Sequence, residues 1–124
     1  SGNTAPLQTF NPDDGDANIQ SIAFSGGTLF LGLPGTGVGL FPAATVGVPG
    51  PTSVLDPPNL SYPGGIFVDD TVTPPVVYLV DFDGNAIYVI HTSGTPPNLA
   101  LQSVTTISGQ ATGLNEPLDI LVVK

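Results

Sequence analysis

The sequence predicts an all-β chain of propeller-like four-stranded antiparallel blades, about two of them, with a single strand flanking at each end. Three observations carry that expectation. A short apolar pattern occurs three times: Ile22-Ala23-Phe24, Ile66-Phe67-Val68 and Ile120-Leu121-Val122 start 44 and then 54 residues apart. A repeat of roughly 45–55 residues built from short strands marks a propeller blade. No segment keeps a 3.6-residue apolar period, so no long helix is expected. Turn-forming residues separate the apolar runs at short intervals, 16 Gly and 14 Pro among them. A β-sandwich is the alternative, because alternating strands and turn signals are common to both architectures.

The elements follow in order. Leu7-Gln8-Thr9-Phe10 alternates apolar and polar and reads as a first, outer strand. Residues 11–18 form a polar, acidic loop. Strands are expected at 19–24 and 29–33, joined by a tight turn at Ser25-Gly26-Gly27. A Gly-weakened strand at 38–41 and a brief outer strand at 52–55 complete the first unit. A Pro-rich connection over 56–65 leads to Ile66-Phe67-Val68, an apolar run suited to a strand packed on both faces. Strands follow at 76–80, 86–91 and 101–107. Asp81-Phe82-Asp83-Gly84-Asn85 is the turn between the first two of these, with Asp-Gly at its tip. Residues 92–98 read as a loop. Residues 108–117 lead to a last inner strand at 120–122. The whole is one domain, 1–124, with approximate repeats at 1–47, 48–93 and, in part, 94–124.

Several stretches resemble bacterial NHL-type propeller repeats. The segment from Thr106 through Gly109, Thr112-Gly113-Leu114 and Pro117 to Ile120 resembles the junction where an outer strand leads into the next inner strand. The opening Gly2-Asn3-Thr4-Ala5-Pro6 with Thr9-Phe10 is similar to the segment that precedes it. Ile66-Phe67-Val68-Asp69, Tyr78-Leu79-Val80-Asp81 and Asn85-Ala86-Ile87-Tyr88-Val89-Ile90 resemble the core of such a blade. The likeness is weakest from Pro34 to Pro58. The resemblance implies a propeller-like fold and a binding or scaffolding role. Some relatives hold a channel metal with His and acidic residues; one His and no matching ligand set leave that activity without support here.

Composition narrows the partners. Ten acidic residues face one basic residue, Lys124, for a net charge of −9. Nucleic acid and anionic membrane both attract the opposite sign. No run of 18 apolar residues exists, so no transmembrane helix is expected. Hydrophobic residues make up 40% and charged residues 9%, against roughly 25% charged in typical soluble domains. Mean hydropathy is +0.31. So apolar a small chain covers its surface best against other chains. Few Lys, many Thr, Pro and Gly and an acidic balance fit an extracellular, cell-surface or periplasmic protein, while the absence of Cys excludes disulfides and is silent on the compartment. Ser1 fits a removed initiator Met, a processed precursor or a chain that begins mid-protein. Lys124 is the terminus that a trypsin-like cut would leave, although chance gives the same ending.

Two groups offer oxygen ligands. Asp13, Asp14, Asp16 and Asn18 lie within six residues, and Ca2+ takes six to eight oxygens from such loops. The late Glu of an EF-hand is missing. Asp81, Asp83 and Asn85, with Asp69 and Asp70 nearby, form a second candidate. Turn hydrogen bonding is the plainer role for both groups. Ca2+ is the one cofactor considered. His91 is the only imidazole and no Gly-x-Ser-x-Gly elbow exists, so neither a zinc site nor a triad is indicated. Glu116 is the only Glu, and no second acid can be paired with it by sequence for glycosidase chemistry. Asn59-Leu60-Ser61 is a formal glycosylation sequon. Tyr62, Tyr78, Tyr88, Phe24, Phe30, Phe67 and Phe82 suit a carbohydrate groove or, more simply, core packing.

The expected function is therefore a non-enzymatic extracellular structural or interaction module. It would assemble with other chains as a ring, a filament or a hetero-complex. A fragment of a larger propeller protein, an enzyme included, and a Ca2+- or glycan-binding module are the alternatives.

Overall fold

The computed structural model describes residues 18–47 and 49–123. They form eight strands in two four-stranded antiparallel sheets, each in sequential order. The first sheet holds β1 (Ser21–Ser25), β2 (Thr28–Leu33), β3 (Gly37–Pro42) and β4 (Ser53–Leu55). The second holds β5 (Pro63–Asp69), β6 (Val76–Asp81), β7 (Ala86–Thr95) and β8 (Asn98–Ile107). A single 3-10 turn, Gln110–Thr112, is the only helical element among the described residues. The fold is all-β with blade-like sheets. Repeat boundaries at 47/48 and 93/94 fall inside the sheets, because β4 belongs to the first and the β7–β8 hairpin spans the second.

Local chemistry explains the hairpins. Ser25 pairs with Thr28, leaving Gly26 and Gly27 as a two-residue turn with φ of 55° and 74°. A turn with positive φ at both positions matches the right-handed twist of the strands, and Gly reaches it without steric cost. In the second sheet the corresponding closing pair is Asp69 with Val76. Asp69 Oδ1 there accepts hydrogen bonds from the Thr71 amide at 3.1 Å and hydroxyl at 2.6 Å.

The two sheets pack face to face, β1 against β5 and β4 against β8. Phe30, Val38, Leu40 and Leu55 of the first sheet share one core with Ile66, Val77, Leu79, Tyr88 and Ile90 of the second. Register fixes which positions are equivalent. Counted from the closing pairs, Ile22 matches Ile66, Phe30 matches Tyr78, Leu31 matches Leu79 and Phe41 matches Ile90. Ile66, Leu79 and Ile90 lie in the shared core, whereas Leu31 and Phe41 lie in a separate cluster with Leu33. Equivalent faces therefore do not meet. The first sheet presents one face, and the second receives it on the opposite one, so the units stack head to tail.

Three expectations need comment. The outer strand at 7–10 lies outside the described residues. The loop expected over 92–98 is instead the end of a long hairpin: Thr95 pairs with Asn98 across Pro96-Pro97. Thr, Ser, Gly and Pro read as loop by composition, but tertiary contacts hold this hairpin. The Thr92 hydroxyl donates to the Pro75 carbonyl at 2.6 Å. The Ser53 hydroxyl donates to the Pro97 carbonyl at 2.6 Å and accepts from the Leu99 amide at 3.2 Å. The inner strand expected at 120–122 forms no ladder, since no further strand lies beside it among the described residues.

Candidate interaction surface

The backbone just before the three apolar copies at Ile22, Ile66 and Ile120 is joined by hydrogen bonds. There the Ser21 hydroxyl donates to the Gly64 carbonyl, which ties β1 to β5. The Gly65 amide donates to the Leu118 carbonyl at 2.8 Å, which ties β5 to the third copy. Aligned on Ile22, Ile66 and Ile120, Ser21 and Gly65 are the same repeat position, and Gly64 and Leu118 are the next one's acceptor. Each copy thus takes its predecessor's donor at the same place. The approach is close. A Cβ on Gly65 would lie 2.7 Å from the Asp119 Cα, so only Gly fits there without displacing the third copy. Two clefts flank this junction. One, of about 430 Å³, is lined by Gln20, Tyr62, Gly64, Phe82, Asp83 and Leu118. The other, of about 410 Å³, is lined by Ile22, Gly65, Ile66 and Asp119 among others.

Beyond the junction the third copy is exposed. Leu118 is 71% exposed, Leu121 75% and Val123 83%. Ile120 and Val122 are half-buried between them. That alternation matches a strand with one face on the second sheet. On the face of the second sheet turned away from the first, Phe67, Tyr78, Ile87 and Val89 are only partly buried, with the Phe67 and Tyr78 rings edge to face at 6.2 Å. At the other end of the stack, Ile22 is 62% and Phe24 64% exposed. Leu118, Leu121, Val123, Ile22 and Phe24 carry the largest apolar exposures among the described residues, followed by Val46 at 58%.

The acidic turn is organised around Asp81, which is fully buried. Its carboxylate accepts the Ser61 amide at 2.9 Å, the Tyr62 amide at 3.0 Å and the Gly84 amide at 2.9 Å. The Tyr88 hydroxyl, 3.3 Å from the same carboxylate, also donates to the Asn59 carbonyl at 3.1 Å. Burial, then the Asp81 charge and this hydrogen bond, push the Tyr88 phenol above its ordinary value of 10.0. Asp83 is exposed at the tip. Asn85 Oδ1 accepts the Glu116 amide at 2.6 Å. Asp81 and Asn85 thus serve backbone donors on separate segments, with no common focus between them. Asp13, Asp14 and Asp16 lie outside the described residues, and Asn18 is exposed. Among the described residues, no three His, Cys, Asp or Glu side chains gather into a metal-binding group.

The other singled-out residues are dispersed. His91 is exposed on β7. Asn59 is exposed with φ of 70°. Tyr62 and Phe82 flank the larger cleft, Phe30 and Tyr88 are core, and Asp70 Oδ2 accepts the Ser25 hydroxyl at 2.6 Å. Sequence reasoning missed Gly64 and Gly65. The signal was Gly-Gly directly before an apolar strand, which marks close backbone approach. No described helix is long and apolar enough to cross a membrane. Comparison with protein-family models, curated proteins and solved structures finds no match for this chain.

Proposed function

We propose that this chain is a non-enzymatic, extracellular or cell-surface interaction module of incomplete propeller repeats that assembles with other polypeptides. One observation carries the reading: the head-to-tail step from the first sheet to the second is begun again from the second sheet to residues 118–119. A stack of unlike faces favours blades over a symmetric sandwich. The apolar exposure at Leu118, Leu121 and Val123 and at Ile22 and Phe24 supports association there. The resemblance to NHL-type repeats belongs to the same proposal. So does the placement outside the cytoplasm, which rests on composition. Light scattering on the purified chain is the test. Species heavier than one 12.5 kDa chain are expected at micromolar concentration. A monomer throughout would sink self-assembly.

A further inference from the structure

We infer that the larger cleft, between Gln20, Tyr62, Phe82 and Asp83, is a binding site for a small organic cation with a quaternary ammonium head. Its volume of about 430 Å³ falls within the range of small-molecule sites. Tyr62 and Phe82 supply aromatic surface and Asp83 a negative charge, with Pro63 and Leu118 as apolar wall. Tyr62 and Phe82 are half-buried and Asp83 is exposed. An aromatic ring attracts a cation through its quadrupole, and a nearby carboxylate adds to that attraction. All these residues come from one chain, so the site does not depend on assembly.

The backbone holds the two aromatic residues in place. The Phe82 amide donates to the Tyr62 carbonyl at 3.0 Å. The buried Asp81 carboxylate takes the amides of Ser61, Tyr62 and Gly84, on both sides of that pair. The Gln20 amide is tied to the Gly32 carbonyl at 2.9 Å. Such preorganisation lowers the ordering cost of binding. The blade itself does not require these side chains. In the first sheet Leu33 stands where the second has Asp81, and Pro34 and Gly35 follow where the second has Phe82 and Asp83.

Charge selects the ligand. A net charge of −9 attracts cations and repels anions. Lys124 is the only Lys or Arg, so neither type faces Asp83 among the described residues. The acceptors then favour a quaternary head over a primary amine. A primary ammonium brings three donors, yet the Tyr62 carbonyl already receives the Phe82 amide and the Gly64 carbonyl the Ser21 hydroxyl. A quaternary ammonium has no N–H to satisfy and binds through aromatic contact and charge.

The test titrates the full chain with choline at constant ionic strength, read by calorimetry and NMR. The control is choline's uncharged isostere, with carbon in place of nitrogen. Saturable choline binding is expected, with the Tyr62, Phe82 and Asp83 amide signals moving and affinity about tenfold above the isostere's. Ethanolamine should bind more weakly than choline. Asp83→Asn removes the charge and keeps a residue type that suits the turn, so the thermal midpoint should hold while affinity falls about tenfold. Tyr62→Leu keeps apolar bulk without the ring and should lower affinity about fivefold. No saturable choline binding, equal binding of the isostere, tighter binding of ethanolamine, or undiminished binding by both variants would overturn the inference. Methyl glucoside bound where choline is not would overturn it in favour of a carbohydrate groove. Choline binding by a monomer would uphold the site and count only against self-assembly.

Discussion

The two sheets share strand order and inner-hairpin register but differ in what closes them. Leu33 and Asp81 occupy the same position, at the end of the second strand. Both are fully buried. In the first sheet the next turn is short, and Leu33 packs with Leu31 and Phe41. In the second, Asp81 gathers three backbone amides and faces the Tyr88 phenol. The outer strands differ as much: β4 has 3 residues and β8 has 10. The inner strands differ in burial. Ile66 is 8% exposed and Ile22 62%. Ile66 packs into the core shared by the two sheets and Ile22 does not, although the equivalent Leu31 and Leu79 are both fully buried. Burial in a stacked fold is a property of the neighbour as much as of the strand.

The comparison breaks most severely if Leu33 is made to resemble Asp81. Leu33→Asp buries a carboxylate without partners, at a cost of about 4 kcal/mol or more. Urea denaturation should find the variant largely unfolded. The reverse exchange, Asp81→Leu, leaves the Ser61, Tyr62 and Gly84 amides without their acceptor. A loss of about 3 kcal/mol is expected from three amides that lose their charged acceptor, with the same denaturation curve as readout. Equal tolerance of both exchanges would show that the turns, and not the buried carboxylate, set the difference.

Smaller effects sharpen it. Ile66→Ala should cost about 2–4 kcal/mol, as for other buried large-to-small changes, and Ile22→Ala less than about 0.5 kcal/mol, as at other exposed sites. A similar cost at both positions in the isolated chain would contradict the open face at β1. The smallest effect is conditional on pH. The folded Tyr88 holds its proton above 10.0, the ordinary value. As pH rises past that value the unfolded chain loses its proton first. Stability present in full at lower pH is then lost as pH climbs toward the folded value. Tyr88→Phe should cost about 1 kcal/mol at neutral pH and should flatten this alkaline decline in thermal unfolding scans.

Much of the strand pattern was legible. The apolar runs around Phe24, Phe67 and Val89 alternate or cluster as strands do, and Gly26-Gly27 names its own turn. The extension of β7 and β8 to Thr95 and Asn98 was not legible. Thr, Ser, Gly and Pro are turn formers, and the bonds from Thr92 and Ser53 that hold the hairpin join residues 17 and 44 positions apart. The acidic turn was half legible. Asp83-Gly84 marks it, but nothing near it announces that Asp81 also reaches back to Ser61 and Tyr62. The third apolar copy at 120–122 was legible as a repeat, but it joins no ladder among the described residues, because pairing depends on which strands lie beside it.

The sequence by itself determined the all-β class, the strand count of each sheet, the inner-hairpin register and the apolar, acidic character of the surface. These follow from side-chain period, turn chemistry and charge, which act over a few residues. The tertiary structure alone decided that unlike faces meet, that Asp81 is buried and served by four donors, and that Leu118, Leu121 and Val123 face outward. Those outcomes depend on burial and on partners distant in the chain, and no local pattern encodes which face a neighbour will cover.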